Sequence, residues 1–90
     1  MRDFHFPGRS PVLAANGMVA TSHPLAASEA LNCLKDGGTA MDAAICGAIL
    51  LSLCEPHMCG LGGDTFALVK PAGDAPVQGF NGSGRAPAAA

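Results

Sequence analysis

The residues with the most chemistry to offer crowd into one stretch, Glu55 to Lys70, which reads EPHMCGLGGDTFALVK. Cys54, His57 and Cys59 are soft donors close enough in sequence to suggest zinc. A closed structural zinc site takes four ligands, and no second Cys or His pair follows at finger spacing. Asp64 is the nearest further donor. The expectation is therefore no metal and no cofactor, and a helix terminus with free, buried thiols. The backbone N–H groups of Gly60, Gly62 and Gly63 could cradle an anion. Phosphate loops, however, lead from a strand into a helix, and no Lys-Ser/Thr follows here. These three glycines are expected to be structural, supplying positive φ or close backbone packing. Ser22, His23 and Asp42 have the residue types of a hydrolase triad. Ser22 is better placed as a helix cap and Asp42 as a first-turn acid. Arg85 is the only Arg or Lys after Lys70. A guanidinium among glycines could hold a carboxylate bidentately, the alternative being a solvated surface arginine.

The elements that must position these groups follow from pattern. Residues 1–15 are expected to form an irregular arm, broken by Pro7, Gly8 and Pro11. Gly17 to Ser22 has the composition of a strand. Pro24 suits a first helical turn, with Ser22 or His23 as cap. Ala27, Ala30, Leu31 and Leu34 then make one helical stripe. Lys35 favours the helix end, and Gly37 and Gly38 terminate it. Thr39 to Asp42 has capping-box spacing and opens a second helix over 40–54. That helix is apolar nearly all round, which predicts burial on most sides. Pro56 stops it. Thr65 to Lys70 and Val77 to Gly82 are expected to pair as a hairpin around the turn residues 71–76. Two helices followed by a hairpin predict an α+β fold, with the helices layered on a largely antiparallel sheet.

Composition narrows the function. Of 90 residues, 49% are hydrophobic and only 13% charged, which is too apolar for disorder. It is also poor in charge for a small free-standing domain. Such a chain is expected to be part of a larger protein, with apolar faces meant for something else. A net charge of −2 gives no basic footprint for nucleic acid or an anionic membrane. The run from Ala43 to Leu53 is about half the roughly 20 residues a membrane span needs. The N-terminal residues show no apolar signal core, so a cytoplasmic location is expected.

Three blocks in this order resemble the gamma-glutamyltranspeptidase family. That family typically shows G-M-V-A-x-x-H-P-L-A, then G-G-N-A-x-D-A-A, then E-P-x-x-x-G-I-G-G-G-x-F. The matching residues are Gly17 to Ala26, Gly37 to Ala44 and Glu55 to Phe66. The resemblance covers about residues 16–90, as the N-terminal part of a large subunit. It implies an N-terminal nucleophile hydrolase with an αββα sandwich, made as an inactive precursor that cleaves itself into two subunits. The new N-terminal threonine attacks a γ-glutamyl amide, as in glutathione, and the acyl group passes to water or to an amine. That threonine lies outside these residues, so no catalytic residue is assigned here. The partners implied are the rest of the large subunit, the small subunit, and a γ-glutamyl or related amide substrate.

Two positions depart from the family pattern. Asp64 stands where a glycine is commoner. The family also carries D-x-R-E-x-A-P, whose arginine grips the substrate α-carboxylate, where this sequence has NGSGRAP. Aligned on Ala86-Pro87, the arginine position falls on Ser83, and Arg85 lies two residues later. On a strand that shift keeps the same face, about 7 Å further along. Ser83 and Arg85 are thus the substrate-binding candidates. The departures resemble a divergent branch acting on another amide or acyl group. Two other readings stay open from the residues: a non-enzymatic helical and β interaction module, and a Cys/His metal or redox module.

Overall fold

The computed structural model describes residues 5, 6, 8 and 10–89. Pro7, one of the three breakers assigned to the N-terminal arm, lies outside them. Two helices and a two-stranded antiparallel sheet make an α+β arrangement in the order α1 (Pro24–Lys35), α2 (Ala40–Cys54), β1 (Thr65–Val69), β2 (Gln78–Gly82).

Each helix end has an identifiable cause. His23 caps α1, its Nδ1 accepting the Leu25 N–H at 3.1 Å, and Pro24 occupies the first turn. At the other end Gly38 N–H donates to Cys33 O at 2.9 Å and Gly37 N–H to Leu34 O at 3.1 Å. These are the paired bonds of a Schellman motif. Gly37 has φ +94°, a conformation that glycine adopts without steric cost. A methyl on Gly38 would come within 2.8 Å of Cys33 O, so the close approach needs glycine there too.

Thr39 and Asp42 form a complete capping box at the start of α2. Asp42 N–H donates to Thr39 Oγ1 at 3.1 Å, and Thr39 N–H donates to Asp42 Oδ2 at 2.9 Å. The bonds from the Thr39 backbone and then its hydroxyl hold the Asp42 carboxyl below its usual range, against a smaller opposing effect of burial. A depressed folded-state pKa contributes stability that is complete above the ordinary carboxylate value near about 4. It is lost as pH falls through the lower folded value. The helical circular dichroism of the chain is therefore expected to weaken on acidification from pH 5 to pH 2. In Asp42→Ala that acid-sensitive part should be absent, with a weaker signal already at pH 5.

The helices pack on each other through small residues. Ala26, Ala30 and Ala43 are the buried apolar residues among those described, and Gly47 is buried with them. A methyl on Gly47 would meet Ala30 Cβ at 3.6 Å. Ser22 Oγ donates to Glu55 Oε2 at 2.7 Å, tying the entrance of α1 to the C-cap of α2.

Three expectations are corrected. Gly17 to Ser22 is not a strand. A strand needs a neighbour to pair its backbone, and this segment joins neither outer edge of the β1–β2 sheet. Met18 to Thr21 instead line a groove of about 340 Å³ over the α1–α2 seam, beside Leu34 and Leu51. Secondly, α2 is not buried on most sides, since Ile49 is 52% and Leu53 76% exposed. Its apolar girth exceeds what one neighbouring helix can cover. Thirdly, the helices pack on each other and make little contact with the hairpin.

The hairpin is apolar on both faces. Phe66 and Leu68 share one face and Phe80 lies on the other, and all three are exposed. The accessible surface is 7685 Å², against about 4800 Å² expected for a folded monomer of this mass. The radius of gyration is 16.2 Å, against about 12 Å for a compact chain of this length. The elements are formed, and apolar side chains on both the helices and the hairpin are left exposed.

Candidate functional site

The hairpin register brings the chemically interesting segments to one end. Thr65 pairs with Gly82, so the loop entering β1 and the segment leaving β2 lie side by side. Gly60, Gly62, Gly63 and Asp64 are on the first of these. Ser83, Gly84 and Arg85 are on the second.

The approach to this end starts at the C-terminus of α2. Pro56 ends the helix, and Glu55 O then accepts the N–H groups of Met58 at 3.0 Å and Cys59 at 3.3 Å. The Cys59 thiol also reaches Glu55 O at 3.7 Å. Next, Gly63 N–H donates to Gly60 O at 3.1 Å, closing a tight turn over 60–63. Positive φ is not what these glycines supply, since among the described residues the glycines that have it are Gly37 and Gly73. A methyl on Gly63 would lie 3.3 Å from Gly60 O, so close packing survives as a reason at that position. Gly60 and Gly62 face open space.

Beyond β2 the chain turns away from strand geometry. Ser83 N–H donates to Asn81 Oδ1 at 3.1 Å, an Asx turn. Gly84 N–H donates to Asp64 Oδ1 at 2.5 Å, across twenty residues of sequence. A same-face relation between Ser83 and Arg85 on a strand therefore does not hold, because β2 ends at Gly82. Both side chains are exposed. Sequence reasoning singled out Asp64 as a spare metal donor and as a departure, and missed its bond. The signal was available in the register, which sets the residue before β1 opposite the residues after β2.

The other groups stay apart. Ser22 is bonded to Glu55, His23 to Leu25 N–H and Asp42 to Thr39, so the three do not form a triad. Among the described residues no three His, Cys, Asp or Glu side chains gather closely enough to hold a metal ion. All four cysteines are free, as expected, but none is buried: Cys59 is exposed and Cys33, Cys46 and Cys54 are half-buried. Burial, then the charge of Asp42 and the nearby Cys46 and Asp36, push the Cys33 thiol up. No described helix is long and apolar enough to cross a membrane.

Comparison with known proteins agrees with this architecture. The family model described as gamma-glutamyltranspeptidase matches residues 26–90. The oxamate amidohydrolase proenzyme of Klebsiella pneumoniae is 38% identical over 65 residues, 72% of this chain and 12% of that protein. The glutathione hydrolase proenzyme of Bacillus subtilis is 48% identical over 54 residues, 60% of this chain and 9% of that protein. A crystal structure of the Bacillus anthracis transpeptidase enzyme CapD superposes with TM-score 0.73 at 32% identity, covering 82% of this chain and 25% of that one. The chain thus spans about an eighth or less of the curated relatives named here.

Proposed function

Since the chain belongs to the gamma-glutamyltranspeptidase family, we propose that it is the opening part of the large subunit of a self-cleaving amidohydrolase or acyltransferase. The full protein transfers or hydrolyses γ-glutamyl groups through a threonine that lies outside these residues. The family match over residues 26–90 is the observation that carries this reading. The exposed faces of α2 and of the hairpin support it, as surfaces to be covered by the rest of the large subunit and by the small subunit. The end of the hairpin, with Arg85 as the carboxylate ligand, is this part's contribution to the substrate site.

A second reading differs in substrate only. The two departures from the family pattern, Asp64 and the Ser83-Gly84-Arg85 segment, touch each other. That contact favours a branch acting on another amide, and the oxamate amidohydrolase relative is of that kind.

Expression of the full-length precursor beside the 90-residue chain tests both. The precursor should resolve into two subunits on a denaturing gel and then turn over a γ-glutamyl anilide. The 90-residue chain should show no turnover above a heat-killed control. Turnover by the short chain alone would sink the proposal. Cleavage of oxamate with no reaction on the anilide would select the second reading.

A further inference from the structure

The backbone ladder between β1 and β2 ends at Thr65–Gly82. Past that point a side chain takes over the pairing, because the Asp64 carboxylate accepts the Gly84 N–H. Bonds in which one partner is ionised are the stronger kind. A methyl on Gly84 would lie 2.6 Å from Asp64 Oδ1, so the carboxylate would have to swing aside. A methyl on Gly82 would lie 2.7 Å from Thr65 O. Asn81 fixes the neighbouring Ser83 N–H at 3.1 Å. The segment is therefore held at two successive amides, and Arg85 is the next residue along.

We propose that Asp64 is a positioning residue, whose carboxylate holds the Ser83–Arg85 segment against the start of β1 and so sets where the Arg85 guanidinium stands. It touches no substrate itself. The ligand class concerned is an acyl donor bearing a free carboxylate. The inference rests on the reading of Arg85 as the ligand of that carboxylate. It gives the two departures one physical cause: an acceptor at 64 and a residue without Cβ at 84 are the two halves of a single contact.

The test uses the full-length protein with a γ-glutamyl anilide. Asp64→Ala is expected to raise KM by about 2- to 12-fold, with kcat held, because the pair is exposed and solvent screening brings a charge-assisted bond down to ordinary net strength. Loss confined to KM marks binding shared by ground and transition states. Asp64→Asn keeps an oxygen acceptor and should recover most of the loss. Gly84→Ala should reproduce the defect by pushing the carboxylate away. Adding Asp64→Ala to Arg85→Ala should cost nothing further, because contacting residues that act as one do not add. Hydrogen exchange at the Gly84 amide should quicken in Asp64→Ala, which reads the contact without activity. If Asp64→Ala does not accumulate, Gly84→Ala and the exchange measurement in Asp64→Gly, which also lacks the acceptor, carry the test. An Asp64→Ala defect of equal size with and without Arg85 overturns the proposal, as does unchanged Gly84 exchange. If Arg85→Ala loses activity while Asp64→Ala leaves KM alone, this inference falls and the Arg85 reading stands. If Arg85→Ala keeps wild-type kcat/KM, that reading fails and takes this one with it.

Discussion

Replacing Arg85 by alanine or by lysine in the full-length protein is expected to lower kcat/KM on a carboxylate-bearing donor by roughly 10- to 150-fold. The range follows from losing a hydrogen bond to a charged group, about 1.5–3 kcal/mol, at about 1.4 kcal/mol per decade. Lysine should rescue poorly, because a point charge lacks the planar fork that grips both carboxylate oxygens. Arg85 is exposed in the 90-residue chain, so the full energy is expected only where the rest of the protein closes over it. Self-cleavage should be unaffected, since it needs no substrate. Ser83→Arg should move preference toward γ-glutamyl donors by returning the guanidinium to the family's usual position. Kinetics of the three variants on a γ-glutamyl donor and on a simple amide give the answer. Wild-type kcat/KM in Arg85→Ala on its best substrate would make Arg85 a surface residue.

The second large effect is expected in the seam between the helices. Gly47 faces Ala30, and an added methyl would sit at an ordinary contact distance of 3.6 Å. Gly47→Ala should therefore be neutral or stabilising, by up to about 1 kcal/mol, because glycine is a poor helix former. Gly47→Leu has nowhere to go without parting α1 from α2. Overpacking of that kind costs about 1–3 kcal/mol. Urea unfolding of the 90-residue chain, followed by helical circular dichroism, should place the alanine variant at or above wild type and the leucine variant below it. Equal midpoints for alanine and leucine would show that the seam is loose.

The same seam shows how far local sequence reaches. Both helices were legible because their ends are written in short-range chemistry. Pro24 and His23 start α1, Gly37 and Gly38 stop it, and Thr39 with Asp42 opens α2 within four residues. The hairpin was legible for the same reason, since its turn residues lie between two apolar runs. The family was legible in three short blocks whose order, not composition, is specific.

Tertiary structure decided what depends on partners distant in sequence. Gly17 to Ser22 has strand composition, yet strand pairing requires a neighbour, and the segment lies over the α1–α2 seam and joins neither outer edge of the two-stranded sheet. The apolar girth of α2 predicted burial, but α1 covers one side, and a helix cannot choose its remaining neighbours from its own residues. The loop glycines suggested positive φ, which the turn over 60–63 does not use. Most telling is Asp64. In sequence it is one unusual residue before a strand, and Gly84 is one more glycine twenty positions on. Only the register of β1 against β2 brings them within one hydrogen bond, because a ladder fixes which residues face each other across its end.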